Sequence, residues 1–340
     1  MTKKRKALTI GIFYITATLI VVIWLIPFFI ATFTAMKSMD ELMSSRYWWM
    51  PPQKTVWENF SSAWHTGNMK TYFWNTFVVT VPSVESVIQA VMVYLLYVGA
   101  RFDEVLEARQ ALEQEAARLA MRLARDGEVD VVVKGAVPTA TFLRAALDRE
   151  VGVRTGRLLS HVGVYDLPGF GRLLLVSDGG VVVAPDLYQK AEIVQNAIDV
   201  AHRLGIGEPK VAVLAAAETV NPKVPATLDA ASLSKMAERG QIRGGIVDGP
   251  LALDNAISES SGRQKGIRSP VLGMADVLIV PDIEAGNLLG KAMLYLGGGE
   301  MAGVVVGGRV PLVVTSRSGS RATREVSIAL GVLLAGGGAT

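Results

Sequence analysis

The sequence predicts an α/β protein: a mostly parallel sheet covered on both faces by helices over residues 101–340, preceded by one or two membrane-spanning helices in residues 1–100. Three observations carry this. Beyond residue 125, short strands apolar on both sides alternate with helical stretches, the pattern of a parallel sheet buried between helices. Residues 7–35 are free of charge, a run longer than the ~20 residues that cross a bilayer. The composition also changes near residue 100: all six Trp (Trp24, Trp48, Trp49, Trp57, Trp64, Trp74) lie before it, but only three of the 34 Gly.

The totals narrow the chemistry. A chain of 340 residues accommodates two or three domains. The absence of cysteine excludes disulfides, thiolate zinc sites and Cys nucleophiles. His65, His161 and His202 are far apart in sequence, so no metal site is expected. Residues 1–100 carry eight Lys/Arg and four Asp/Glu, whereas the remainder carries 26 and 27. The basic balance thus belongs to the front, and no nucleic-acid partner is expected of the larger part.

In chain order, Lys3, Lys4, Arg5 and Lys6 precede the first apolar run and place the N-terminus in the cytoplasm. The run is too long for the core of a cleaved signal peptide. Tyr47, Trp48 and Trp49 then suit the headgroup level, where an apolar ring and a polar tip are both satisfied. A second apolar run, residues 71–100, is interrupted by Glu85 and Gln89. With Met50-Pro51-Pro52, Trp57-Glu58-Asn59-Phe60, Trp64 and Asn75-Thr76-Phe77-Val78-Val79, residues 1 to about 90 resemble the start of a permease subunit of sugar ABC transporters. That resemblance implies a membrane partner and an alternative function, a carbohydrate permease subunit. The further spans and the ATPase-docking loop of such permeases do not follow.

From residue 101 to 125 the pattern is an amphipathic, water-facing helix with Leu112, Ala116, Leu119 and Leu123 on its apolar face. Strands are expected at residues 129–133, 161–165, 173–177, 210–214, 245–247, 276–280, 303–306 and 310–314. Helices are expected at 139–149, 187–204 (ended by Gly205), 228–239 (closed by Gly240), 285–296 and from about 321 through Ile328, Leu330 and Leu334.

Four strands end in polar clusters: Lys134-Gly135; Asp248-Gly249-Pro250; Pro281-Asp282-Ile283-Glu284-Ala285-Gly286-Asn287; and Thr315-Ser316-Arg317. Each alone is ordinary turn chemistry. Together, after buried strands, they point to one cleft. The last cluster joins a strand to a helix, so backbone N–H groups and a positive helix end face an anion seat there. Arg317 suits a two-point grip on phosphate, with Thr315 and Ser316 adding hydroxyls.

Many further stretches share one resemblance. They include Leu143-Arg144, Arg154-Thr155-Gly156, Ser160-His161-Val162, Ala184-Pro185-Asp186-Leu187, Glu218-Thr219-Val220-Asn221-Pro222-Lys223 and Asp254-Asn255-Ala256. With the four clusters, and in the same order, they resemble the phosphate acetyl/butyryltransferase family from about residue 105 to about 335, closer to the butyryl branch. The resemblance implies an acyltransferase: acyl-CoA plus phosphate gives acyl phosphate plus CoA, with both as substrates, no bound cofactor and no metal. It implies a two-domain fold like that of isocitrate and isopropylmalate dehydrogenases, with a second subdomain inserted at about residues 158–303, and a homo-oligomer. Ser316 and Arg317 match the family's active-site pair, with Thr315, Lys134, Asp248, Asp282, Glu284 and Asn287 expected at the substrates. The catalytic part is expected in the cytoplasm, membrane-anchored where residues 1–100 are present.

Two departures stand out. Positions where relatives place a candidate base Asp are Thr323 and Gly319 here, leaving the general base open, with Asp282 and Glu284 as the nearest motif carboxylates. The first strands and helices that the family places before Arg101 are replaced by the permease-like segment, so the first domain is expected to be N-terminally incomplete. A decarboxylating dehydrogenase, of related fold, is disfavoured because no metal-spaced Asp pair and no glycine-rich nucleotide fingerprint is found.

Overall fold

The computed structural model describes residues 102–315 and 319–336, all within one compact unit that begins at Val78. Both expected membrane spans, and the active-site pair Ser316 and Arg317, lie outside the described residues. Among the described residues no helix is long and apolar enough to cross a membrane.

Helix α1 (Phe102–Arg125) is where the sequence indicated, but it buries a different stripe. Glu113, Ala117, Met121 and Ala124 face inward, while Leu112 and Leu119 remain 40% and 50% exposed. Counting apolar residues favours the leucine stripe. The docked stripe is instead the neighbouring one, whose Ala117, Met121 and Ala124 pack against strand β1 (Val132–Val133) and helix α2 (Thr139–Ala146). Glu113 is paired with Arg109 at 2.8 Å, and Arg118 binds Asp148 at 2.7 Å beyond the end of α2.

The chain then runs through β2 (Ser160–Asp166), β3 (Leu174–Ser177), α3 (Leu187–Arg203), β4 (Lys210–Leu214), α4 (Pro225–Glu238) and β5 (Ile246–Leu251). A capping box holds the start of α3: Asp186 accepts from the Gln189 backbone N–H while the Gln189 side chain accepts from that of Asp186. Gly205 (φ 88°) and Gly240 (φ 73°) follow α3 and α4 in the left-handed conformation that glycine adopts without strain. Strand β5 was expected to stop at Val247 but runs on through Asp248, Gly249 and Pro250. It lies at the sheet edge, where a proline removes no ladder hydrogen bond. Two helices follow that sequence pattern did not indicate, α5 (Leu253–Ile257) and α6 (Glu259–Gln264); at five and six residues they are too short to show a period. The chain ends with β6 (Val277–Ile279), α7 (Ile283–Tyr295), β7 (Glu300–Val306), β8 (Leu312–Val313) and α8 (Arg321–Ala335).

The eight strands among the described residues form one sheet in the order β1-β8-β7-β2-β3-β6-β4-β5. The expected mostly parallel sheet is in fact mixed. Neighbours β8–β7, β7–β2 and β2–β3 are antiparallel; β1–β8, β3–β6, β6–β4 and β4–β5 are parallel. Strands covered on both faces are apolar on both sides whichever way they run, so composition does not disclose direction. One apolar core lies under α3, α4 and Leu330 of α8. A second lies on the opposite face beneath α5 and α7, and a third under α1 and α2.

Candidate active site

An open cleft of about 730 Å³ lies where β2, the turn after β3, α7, the start of β7 and the β8–α8 connection meet. Its walls follow from local sequence. Strand alternation places His161, Gly163 and Tyr165 of β2 on one face, and His161 and Tyr165 line the cleft. A Cβ at Gly163 would lie 2.8 Å from the Tyr165 ring, so glycine is what lets the ring fold back along its own strand.

The turn after β3 is organised by Asp178, which is 2% exposed. Its two carboxylate oxygens accept from the backbone N–H groups of His161 (3.0 Å), Gly180 (2.7 Å), Val181 (2.9 Å) and Val182 (3.2 Å). One buried carboxylate thus fixes the cleft wall to the strand that carries His161. Against this turn packs the first turn of α7, where a Cβ at Gly286 would stand 2.6 Å from Gly179 Cα. Asn287, Gly290, Lys291 and Leu294 extend the α7 wall. A Cβ at Gly290 would fall 2.4 Å from the Tyr165 hydroxyl, so this glycine makes room for the phenol.

The remaining wall is formed by Val314, Thr315, Gly319, Ser320 and Thr323. Ser320 caps α8 by accepting from Thr323 N–H at 3.0 Å, so the positive end of a fifteen-residue helix opens on the cleft. Ser327 of α8 accepts from Gly303 N–H (3.0 Å) and donates to the Thr323 carbonyl (2.6 Å), fixing that helix end against β7.

Burial sets the protonation of the β2 groups. It pushes the Tyr165 phenol up to about 12 and pulls the His161 imidazole down, the latter opposed by the Asp178 carboxylate, so both are neutral near pH 7. His161 Nδ1 is enclosed and has no hydrogen-bond partner.

The expected site residues divide. Thr315 and Asn287 line the cleft. Lys134 is 5% exposed and donates to the carbonyls of Gly135 (3.0 Å) and Val137 (3.3 Å). Asp248 lies within β5 and accepts from Ser234 of α4 at 3.1 Å, away from the cleft walls. Asp282 caps α7 by accepting from Ala285 N–H at 2.8 Å. Glu284 is exposed on the first turn of α7 and is not among the cleft-lining residues. His161, Tyr165, Lys291 and Glu300, which no motif marks as site residues, also line the cleft. A histidine and a tyrosine four residues apart, with only Val and Gly between them, were the available signal.

Two motif carboxylates serve elsewhere. Lys265 bridges Glu218 (2.7 Å) and Asp254 (2.8 Å), while Asn255 donates to Glu218 at 2.5 Å. The lysine beside them holds both carboxyls below their usual range, Asp254 at about 2. Among the described residues no three His, Asp or Glu side chains cluster as metal ligands.

The fold is α/β, and its open cleft lies at a helix N-terminus beside partly apolar walls. The family model for phosphate acetyl/butaryl transferase matches residues 78–331, and the chain belongs to that family. The match begins upstream of residue 105, where the resemblance read from sequence begins. The phosphate acetyltransferase of Thermotoga maritima is 47% identical over 222 residues, 65% of this chain and 76% of that protein. The phosphate butyryltransferase of Clostridium acetobutylicum is 48% identical over 223 residues, 66% and 74%. Acetyl- and butyryl-forming relatives are thus equally similar, and overall identity does not favour the butyryl branch. A solved branched-chain phosphotransacylase from Enterococcus faecalis superposes with a TM-score of 0.60 at 35% identity, covering 65% of this chain and 79% of that one.

Proposed function

We propose that this protein transfers a short acyl group, butyryl or acetyl, between coenzyme A and inorganic phosphate, and that Ser316 and Arg317 carry the step. The supporting observation is that the cleft is walled by residues on both sides of that pair, Val314 and Thr315 before it and Gly319 and Ser320 after it, at the N-terminus of α8. Arg317 holds phosphate and the developing acyl phosphate. Ser316 donates to the leaving sulfur or the carbonyl oxygen. Thr315 and Asn287 add polar contacts. Catalysis here is positioning plus electrostatic stabilisation and needs no covalent intermediate, bound cofactor or metal. Lys134, Asp248 and Asp282 act one step back, shaping the elements that carry the walls.

The subdomain inserted at about residues 158–303 is supported by topology: β1 and β8 are parallel neighbours, and everything from β2 through β7 lies between them in sequence. Acyl-CoA as substrate assigns the catalytic part to the cytoplasm. For residues 1–100, the last part of which the family match from residue 78 also covers, the reading is a permease-like membrane anchor that does not itself transport.

Release of free thiol from butyryl-CoA on adding phosphate tests the activity. Arg317→Ala should lower kcat/KM for phosphate by the equivalent of about 2–4 kcal/mol, and more than for butyryl-CoA. Arg317→Lys should retain part of it, since a point charge replaces a two-point grip. Ser316→Ala should lower kcat with little change in phosphate affinity. Phosphate kinetics of Arg317→Ala within twofold of the parent would place the anion elsewhere.

A further inference from the structure

His161 is a partly exposed side chain on the wall of the cleft, in a strand whose other residues from Ser160 to Tyr165 are buried. Its backbone is fixed on both sides: its N–H goes to Asp178 and its carbonyl accepts from Ser177 Oγ at 2.8 Å. The ring is held between two glycines, since a Cβ at Gly180 would stand 3.0 Å from its Cγ and one at Gly303 would stand 3.1 Å from its Nε2. The point beside Gly303 is also 3.3 Å from the Val314 carbonyl oxygen, so Nε2 lies next to the strand end that leads into Thr315, Ser316 and Arg317. The ring nitrogens differ. Nδ1 is enclosed with no partner. A buried N–H without an acceptor is rarer and costlier than a buried lone pair without a donor. The single proton of the neutral ring therefore belongs on Nε2, the nitrogen beside the β8 exit.

We propose that His161 is a catalytic residue, donating a hydrogen bond from Nε2–H to the thioester carbonyl oxygen as that oxygen gains negative charge. The proposal rests on the cleft being the site of acyl transfer. A phosphate oxygen forms the new bond to the carbonyl carbon. The C–S bond then breaks with its electron pair leaving on sulfur, and the proton of hydrogen phosphate ends on the CoA thiol. His161 keeps its own proton throughout and changes neither charge nor tautomer. The charged groups around the cleft fit a neutral donor: the Asp178 carboxylate beside the ring is spent on four backbone N–H groups, and Lys291 and Glu300 bring opposite charges to the cleft wall. A neutral imidazole gives up its N–H proton with difficulty and so can polarise a carbonyl without transferring that proton to it.

The test uses the full-length protein and three variants, with butyryl-CoA and phosphate varied separately. His161→Leu removes the donor and should lower kcat by about 100-fold, the scale of one lost oxyanion donor, with phosphate KM within threefold. His161→Gln offers an N–H from a similar distance and should recover at least tenfold of that loss. In the parent labelled with ¹⁵N-histidine, the resonances that disappear in His161→Gln should show the proton on Nε2 and no titration between pH 6 and 8. Thermal melts identify variants that fail to fold. The tautomer and His161→Gln then decide alone. A His161→Leu enzyme within threefold of the parent, a proton on Nδ1, or His161→Gln as inactive as a folded His161→Leu would each overturn the proposal, the last in favour of proton transfer. Arg317→Ala, assayed alongside, separates the two readings. Loss there with full activity in His161→Leu removes only the role of His161, whereas full activity in both removes the cleft as the site.

Discussion

Single atoms decide much of the cleft's shape. The Tyr165 hydroxyl occupies the space that a Cβ at Gly290 would need. Gly290→Ala should gain roughly 1 kcal/mol of helix propensity but lose about 1–3 kcal/mol by overpacking, for a net destabilisation of up to about 2 kcal/mol. In a Tyr165→Phe background the clash disappears and the same substitution should be neutral or stabilising. Urea unfolding of the four proteins measures the coupling, and equal costs in both backgrounds would mean that the phenol is not what the glycine accommodates. Asp178 is the other residue of this kind. Asp178→Ala strands backbone N–H groups at four positions, and a loss of about 2–4 kcal/mol is expected together with reduced kcat, because the wall it fixes adjoins His161.

Elements were more legible than their orientations. Strand β4 was read at its observed bounds, and α3, α4 and α7 to within a few residues, because long periodic segments bounded by glycine or proline carry their own punctuation. The face of α1 was not legible: a stripe with Leu112 and Leu119 lies beside one with Ala117, Met121 and Ala124, and only the partner surface selects between them. Met121→Ala should therefore cost about 2–5 kcal/mol in chemical denaturation, whereas Leu112→Ala should cost under about 1. Equal losses would restore the leucine face. At the site, Thr315 and Asn287 were legible as polar residues after strands. Asp248 was not, because a strand that continues through Gly249-Pro250 looks in sequence like one that ends there. His161 and Tyr165 were passed over because a strand residue shows its chemistry only once its neighbours are placed. The loops after β4 and β5 are tied through Glu218, Lys265 and Asp254, which gives a pH signature. Asp254 has a folded value of about 2 against 3.8 unperturbed, so its stabilisation is complete above about pH 4 and is lost as pH falls toward 2, and Glu218 acts in the same direction. The thermal midpoint should drop across that window, and Lys265→Met should flatten the drop. An unchanged acid limb in Lys265→Met would assign acid sensitivity to other carboxylates.

At the scale of the described unit, one sheet joins the stretch from β2 to β7 to the strands β1 and β8 that flank it in sequence, and the core beneath α3 and α4 reaches Leu330 of α8. Sharing a sheet and a core makes the parts unfold together. Amides of Val211, Val277, Val305 and Leu312 should exchange with closely similar free energies under native conditions. Two groups separated by several kcal/mol would show instead that the inserted part opens independently. The mixed direction of the sheet, hidden from composition, has a reason at this scale: β2 carries the chain out, β7 brings it back, and the two pair along their whole length from Ser160↔Val306 to Asp166↔Glu300. Paired residues on antiparallel strands sit only about 5 Å apart, so the two ends of a stretch of nearly 150 residues emerge side by side. A bridge of two or three residues would rejoin the flanking chain if that stretch were removed, and a foreign stretch with similarly close ends could be spliced in its place. In genetic terms, the codons for Ser160 and Val306 suit a pair of crossover points, at which recombination between relatives would exchange one wall of the cleft while leaving the wall at the start of α8 untouched.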